Sequence, residues 1–279
     1  MKTKFKIDGI EKEVSIDSTQ VFKCGKDEIL SDIDTDISYE QPWYNEGFTE
    51  IDFLTNEEYD FLRKGLIGSI GEIIKKELPL VDLTGFSLEN YHNYIQTDAE
   101  HFKVVSKTRD LFSQDFNFPI EKYLPKLGDI LNFKLSDIDS YNHKKVHIIV
   151  RINRPLSTDY NPPHKDIYEG VDNDDYIPQF MNFWIPVAGV TEKTSLPIVP
   201  KSHRINENSI SRTFEGGYVS GNKYRVRMIK SWNDDNCLVR SNVKYGQVLI
   251  FSSHLIHGLA INEEPDMTRV ALEFRLFKG

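Results

Sequence analysis

Six β-rich segments crowd the second half of the chain: VHIIVRIN (146–153), FMNFWIPV (180–187), SLPIV (195–199), YRVRMI (224–229), QVLIF (247–251) and RVALEFRLF (269–277). Gly, Asn, Asp and Pro fall between them. Several short strands punctuated in this way specify a sandwich or a barrel. The first half reads differently. KFKI, KEVSI and VFKC suggest short strands around an Asp-Gly turn, and Asp27 to Asp60 holds twelve acidic residues with no Lys or Arg, as a solvated acidic surface would. Phe48, Ile51, Phe53 and Leu54 anchor the end of that stretch to the core. A helix follows. Thr55 and Glu58 fit a capping box, Leu54 and Tyr59 the flanking staple, and Leu62, Leu66, Ile70 and Ile73 recur at helical spacing until Pro79. Ser87 to Ile95 and Ala99 to Phe112 are further helical candidates. No Gly-, Ser- or Pro-rich linker separates the halves. Residues 1–279 therefore read as one α+β unit, mainly β, in which the 1–145 part packs helices against a 146–279 barrel core.

Composition narrows the function classes. With 279 residues, 39% of them hydrophobic and 12% aromatic, the chain can bury a sizeable core. A net charge of −9 argues against a nucleic-acid or anionic-membrane partner. No apolar run approaches the roughly 20 residues that span a bilayer, and MKTKFKIDGIEKEV lacks the apolar core of a signal peptide. Cys24 and Cys237 read as two lone thiols of a reducing compartment. The expectation is a cytoplasmic protein acting on a small molecule, with its oligomeric state open.

The chemistry-bearing residues lie on the β-rich half. In NPPHKDIYEG (161–170), period-2 alternation puts His164 and Asp166 on one face of an extended segment, and Pro162 and Pro163 restrict the approach. By itself His-x-Asp is a permissive pattern, more often a plain polar loop. In GQVLIFSSHLIHGLAIN (246–262) an apolar strand delivers His257 followed by Gly258, which leaves room for a small molecule. His254 is the rival, with a hydrogen-bonded turn as its ordinary role. In MTRVALEFRLF (267–277) Arg269 opens the last strand on the face of Ala271, Glu273 and Arg275. Two histidines and one carboxylate make a facial triad suited to Fe(II) with three positions open. Arg269 offers a planar fork for a carboxylate ligand.

These residues, in this order, resemble the iron(II)/2-oxoglutarate-dependent dioxygenases, in particular the phytanoyl-CoA dioxygenase-like branch. FWIPVAGVTEKTSLPIVPKSHR (183–204) is similar to that branch's strand, loop, strand and Pro-x-Ser-His turn, here Pro200-Lys201-Ser202-His203. Lys201 stands where the branch often has Gly. Ala271 stands where it has a small hydroxyl residue, which removes one hydrogen bond to the co-substrate. The resemblance implies a double-stranded β-helix (jelly-roll, cupin-like) core. It implies Fe(II) held by His164, Asp166 and His257, with 2-oxoglutarate chelating the iron and its distal carboxylate on Arg269. O2 would be the oxidant, succinate and CO2 the by-products, and hydroxylation of a small metabolite the outcome. Asp166 disfavours halogenation, because halogenating relatives lack that carboxylate. Two rivals are a non-redox cupin-type metal-binding protein and a metal-dependent isomerase or hydrolase. Neither needs a dicarboxylate clamp.

Other polar residues on the strands carry alternatives. Arg151 and Asn182 are candidate co-substrate contacts, Arg151 against a buttressing salt bridge. Trp184 reads as core, Arg275 as a structural ion pair, and His92, His101, His143 and His203 as structural. Residues 201–230 carry seven Lys or Arg against Glu207 and Glu215. Surface charge balance is the ordinary explanation; attraction of an anionic substrate is the functional one.

Overall fold

The N-terminal half supplies a hairpin and a layer of helices. The computed structural model describes residues 2–174, 176–219, 222–233 and 236–279. Strands β1 (Lys2–Ile7) and β2 (Ile10–Ser15) pair around Asp8-Gly9, both at positive φ. Then come β3 (Lys23–Cys24), β4 (Phe48–Asp52), α1 (Asn56–Glu77), α2 (Tyr91–Tyr94), α3 (Asp98–Thr108), α4 (Ile120–Leu131) and β5 (Leu135–Ser136). Helix α1 begins at its capping box, where Thr55 accepts from the Glu58 amide and Glu58 from the Thr55 amide. Its buried stripe is Leu62, Leu66, Ile70 and Ile74, so the stripe drifts one residue past Ile73. No helix among the described residues is long and apolar enough to cross a membrane.

The longer elements of the second half are strands joined by turns and loops: β6 (Ile149–Asn153), α5 (Tyr168–Asp174), β7 (Phe180–Ala188), β8 (Pro197–Ile198), β9 (Ile210–Arg212), β10 (Gly217–Val219), β11 (Asn222–Tyr224), β12 (Ile229–Trp232), β13 (Cys237–Arg240), β14 (Gln247–Ser252) and β15 (Arg269–Lys278). The large sheet runs β4-β14-β7-β15-β6, antiparallel throughout, with β5 on the far end of β15. Alternation divides its faces. Phe183, Ile185, Val248, Ile250, Val270 and Leu272 share one hydrophobic cluster with the buried stripes of α1, α3 and α4. Asn182, Trp184, Ala271 and Glu273 occupy the other face and look into the barrel. Shorter strands close the barrel opposite, in the orders β2-β1-β13-β8 and β12-β9-β3, around Tyr168, Ile210, Ile229 and Leu238. This is a double-stranded β-helix, jelly-roll and cupin-like, buttressed by N-terminal helices.

Several segments differ from the sequence reading, each for a local reason. YRVRMI is not one strand. It breaks between Tyr224 and Ile229, where Arg227 turns in toward Asp172 (3.5 Å) and the Met228 amide donates to Thr213 Oγ1 (2.9 Å). The Val146 and Ile148 amides donate to Asp137 and Leu111 carbonyls rather than to β15, so β6 starts only at Ile149. Ser87 and Asn90 exchange side-chain to backbone bonds that form a turn, leaving α2 a single turn. The acidic stretch is not all solvated. Asp36 is 2% exposed and accepts from Ser31, Ser38 and Ser252. Cys24 and Cys237 are not joined by a disulfide.

Candidate metal centre

Backbone pairing sets the geometry of the site. His164 and His257 form an antiparallel bridge, each amide donating to the other's carbonyl (3.0 and 3.1 Å). The two rings then lie side by side, centroids 4.4 Å apart. Gly258 is what lets the strands approach. It sits at φ +126°, and a Cβ there would meet the Pro162 carbonyl oxygen at 2.5 Å. The space beside Gly258 is thus filled by the Pro162-Pro163 backbone, not kept for a ligand. The Asp166 amide donates to the Ser253 carbonyl (3.2 Å), tying the second half of the loop to the same strand.

One ligand atom from each of His164, Asp166 and His257 lies within 4.8 Å of the others, and all three residues are buried. His164 Nε2 is 3.5 Å from Asp166 Oδ1, and His257 Nε2 is 3.6 Å from Asp166 Oδ2. Donors on one face of an octahedral ion, with bonds of about 2.1 Å, lie about 3 Å apart, so small side-chain shifts close the set on a cation. The tautomers are arranged for it. His164 Nδ1 lies 2.7 Å from the Pro162 carbonyl and His257 Nδ1 3.1 Å from the Leu255 carbonyl, so each Nδ1–H donates outward and each Nε2 keeps its lone pair inward. Burial, then the neighbouring His164, pushes His257 down to about 4, which keeps it neutral near pH 7. Burial raises Asp166, but Arg275, His257 and His164 outweigh it and hold the carboxyl well below its ordinary range. The donor set fits a divalent ion such as Fe(II).

Alternation sends Lys165 the other way. Its ammonium is fully buried on Glu207 (2.7 Å), which also accepts from Tyr168 Oη (2.8 Å). His254 is buried 3.4 Å from Asp36 and stands outside the triad. His101, near Asp159 and Tyr91, is likewise built into the structure.

Arg269 is the unusual residue. It is 2% exposed, and its Nη2 donates to Asn153 Oδ1, whose amide is committed to the Asp159 carbonyl. Its Nε and Nη1 are buried with no hydrogen-bond partner among the described residues. Burial, with Arg151 and Arg240, pushes it down to about 9. The Trp184 ring lies 5.7 Å away, and its indole N–H is also buried without an acceptor. Asn182 is 1% exposed with both amide atoms unpartnered, and it faces Arg275 across the β7–β15 ladder. Buried donors are rarely left unmet. Those on Arg269 and Trp184 fit a carboxylate-bearing ligand. Arg151 is differently placed: Nε and Nη2 grip Glu273 at 2.9 and 2.6 Å. Burial would raise Glu273, but Arg151 draws it down to about 2. The sequence places Asn153 with His147 and Arg151 on the polar face of one strand and Glu273 on the face of Arg269, but the partner of each depends on which side chains meet across the β6–β15 ladder.

Part of the basic run is structural too. Arg212 and Arg227 both meet the Asp172 carboxylate, and Lys201 pairs with Glu46.

No protein-family model matches the chain, and no curated protein matches its sequence. Solved structures do. ThoJ in its apo form, described as a non-heme monooxygenase, aligns over 85% of this chain and 75% of its own, at 13% identity and a TM-score of 0.50. EctD from S. alaskensis with 2-oxoglutarate and 5-hydroxyectoine covers 94% and 84% at 12% identity and a TM-score of 0.49. AviO1 from Streptomyces viridochromogenes Tue57 covers 91% and 96% at 12% identity and 0.46. At such identities the likeness is one of fold.

Proposed function

We propose that the chain is a non-haem Fe(II)/2-oxoglutarate-dependent dioxygenase that hydroxylates a small metabolite with release of succinate and CO2. The observation that carries this reading is the buried, half-partnered guanidinium of Arg269 in the same barrel as the His164, Asp166 and His257 donors. A metal-binding scaffold or a metal-dependent isomerase needs three ligands but no buried cation left without an anion. The fold shared with ThoJ, described as a non-heme monooxygenase, accords with this class.

In this reading the bound iron, with 2-oxoglutarate, supplies the dioxygen-activating chemistry. The chain's residues do the rest. His164 and His257 present Nε2 because their Nδ1–H groups are held by carbonyls. Asp166 offers one carboxylate oxygen while Arg275 holds the other (2.7 Å). Arg269 takes the distal carboxylate of the co-substrate, and the Trp184 indole N–H is the nearby donor that offsets Ala271, which has no hydroxyl. Asn182 serves the metal end of the barrel. Arg151, fixed by Glu273, borders the co-substrate without needing to release its partner. The hydrophobic wall of Trp184, Leu249, Phe251 and Ala271 excludes water from the reacting atoms.

Anaerobic Fe(II) and 2-oxoglutarate added to the protein should give a weak visible charge-transfer band, and oxygen should then yield succinate. Absence of both refutes the oxygenase and leaves the metal-binding or isomerase readings.

A further inference from the structure

Arg275 stands at the boundary between the metal donors and solvent. Its side chain is 40% exposed, whereas the Asp166 side chain it touches is 3% exposed. Among the described residues only its Nη2 is engaged, on Asp166 Oδ1 at 2.7 Å, and the guanidinium lies over the Phe180 ring, 4.7 Å from its centroid. When a divalent cation takes up the Asp166 charge, the charge on Arg275 is no longer matched.

The side of the barrel formed by β6, β15 and the ligand loop is short of an anion. Its inward charges are Arg151, Arg269 and Arg275 against Glu273 and Asp166. A divalent metal and a dicarboxylate co-substrate cancel each other, so one positive charge remains. Arg109 adds another. It caps the end of α3, which Thr108 ties to the Val150 carbonyl of β6 (3.4 Å); its backbone N–H donates to the Lys107 carbonyl, and its exposed guanidinium has no hydrogen bond or ion pair among the described residues. Partial desolvation, then repulsion from nearby Arg151, holds it below its ordinary value, with Tyr224 and Glu273 also close. Arg275 is partly buried, and a cation so placed is retained where it meets an anion; Arg109 stands exposed beside it at the rim.

We propose that Arg275, assisted by Arg109, docks an oxyanion group of the substrate, which makes the substrate a small carboxylate- or phosphate-bearing compound oxidised only a few bonds from that group. This rests on the oxygenase reading. The short span follows from Arg275 touching a metal ligand directly. The selectivity comes from the planar fork, which favours oxyanions over halide.

The test uses the full chain loaded with Co(II) and saturating 2-oxoglutarate, titrated with inorganic phosphate or acetate at constant ionic strength. Binding is followed by heat and by the Co(II) visible spectrum. Saturable binding of one of the two anions is expected, and the anion that binds identifies the group. Arg275→Gln should weaken it about tenfold or more, Arg109→Gln less, and Arg275→Lys should recover part of the loss. If neither anion binds saturably, or if wild type and Arg275→Gln bind alike, the proposal is overturned. Should Arg275→Gln not fold, equal binding by wild type, Arg275→Lys and Arg109→Gln would overturn it. If 2-oxoglutarate itself leaves the Co(II) spectrum unchanged, the oxygenase reading fails and the proposal with it.

Discussion

Replacing Arg269 with methionine separates what this residue costs the fold from what it gives the site. The drop from its ordinary value to about 9 corresponds to a penalty on the order of 5 kcal/mol for keeping the guanidinium charged in the barrel. Methionine keeps much of the volume and removes the charge. It also leaves Asn153 Oδ1 without its donor, a loss of about 1–3 kcal/mol. The difference is a net gain of about 2–4 kcal/mol, in the range seen when buried charges are exchanged for apolar residues. At about 2–4 °C per kcal/mol for a chain of this size class, the ligand-free Arg269→Met protein should melt at least about 4 °C above wild type. The order should invert with metal and 2-oxoglutarate. Ligand at a thousandfold excess over Kd adds about 4.1 kcal/mol to wild type and little to the variant. Differential scanning fluorimetry with and without the ligands reads both effects. A variant that melts below wild type without ligand, or that keeps the full 2-oxoglutarate shift, refutes the reasoning.

Three further outcomes follow from the same structure. Gly258→Ala should lower affinity for Co(II) at least tenfold by calorimetry, because its Cβ would meet the Pro162 carbonyl and push His164 from His257; unchanged affinity would contradict this. Lys165→Met should cost about 3–5 kcal/mol in urea unfolding, since Glu207 then keeps a buried charge with only Tyr168, whereas Lys165→Met with Glu207→Leu should cost less than the single change. Burial depresses His101, His203 and His254 from 6.5 to about 4. The unfolded chain therefore binds more protons across that window, and metal-free stability should fall steadily as pH drops from 6.5 to 4; a urea midpoint constant over that range would exclude it.

Much of the fold is legible where one local rule dominates. The last strand alternates Arg269, Ala271, Glu273 and Arg275 against Val270, Leu272, Phe274 and Leu276, and that parity alone separates barrel from helix-facing core. Helix α1 announces itself through Thr55 and Glu58. Helix α4 escaped notice because Pro125 sits inside it and masks the spacing of Ile120, Tyr123, Leu127 and Leu131, all buried. YRVRMI was misread because alternation of Tyr, Val and Met with basic residues mimics a strand, while the buried Asp172 that captures Arg227 lies more than fifty residues upstream. The candidate site follows the same division. Spacing and strand context pointed to the three donor residues and to Arg269. The Glu273 grip on Arg151, the support of Asn153 and the unmet indole of Trp184 are products of tertiary pairing, which no local pattern encodes.

The parallel pairing of β1 with β13 has a consequence for synthesis. Lys6 and Ile7 align with Cys237 and Leu238, about 230 residues later in the chain. At ordinary translation rates of about 5–20 residues per second, the β1–β2 hairpin waits roughly ten seconds to most of a minute for its neighbour. Through that interval Phe5, Ile7 and Val14, buried at the end, have no partner sheet and one open edge. The opposite face of the hairpin carries Lys4 paired with Glu11 and Lys2 paired with Glu13. Those charges discourage a second nascent chain from adding to the edge, so a surface that contributes little to the finished fold protects the unfinished one.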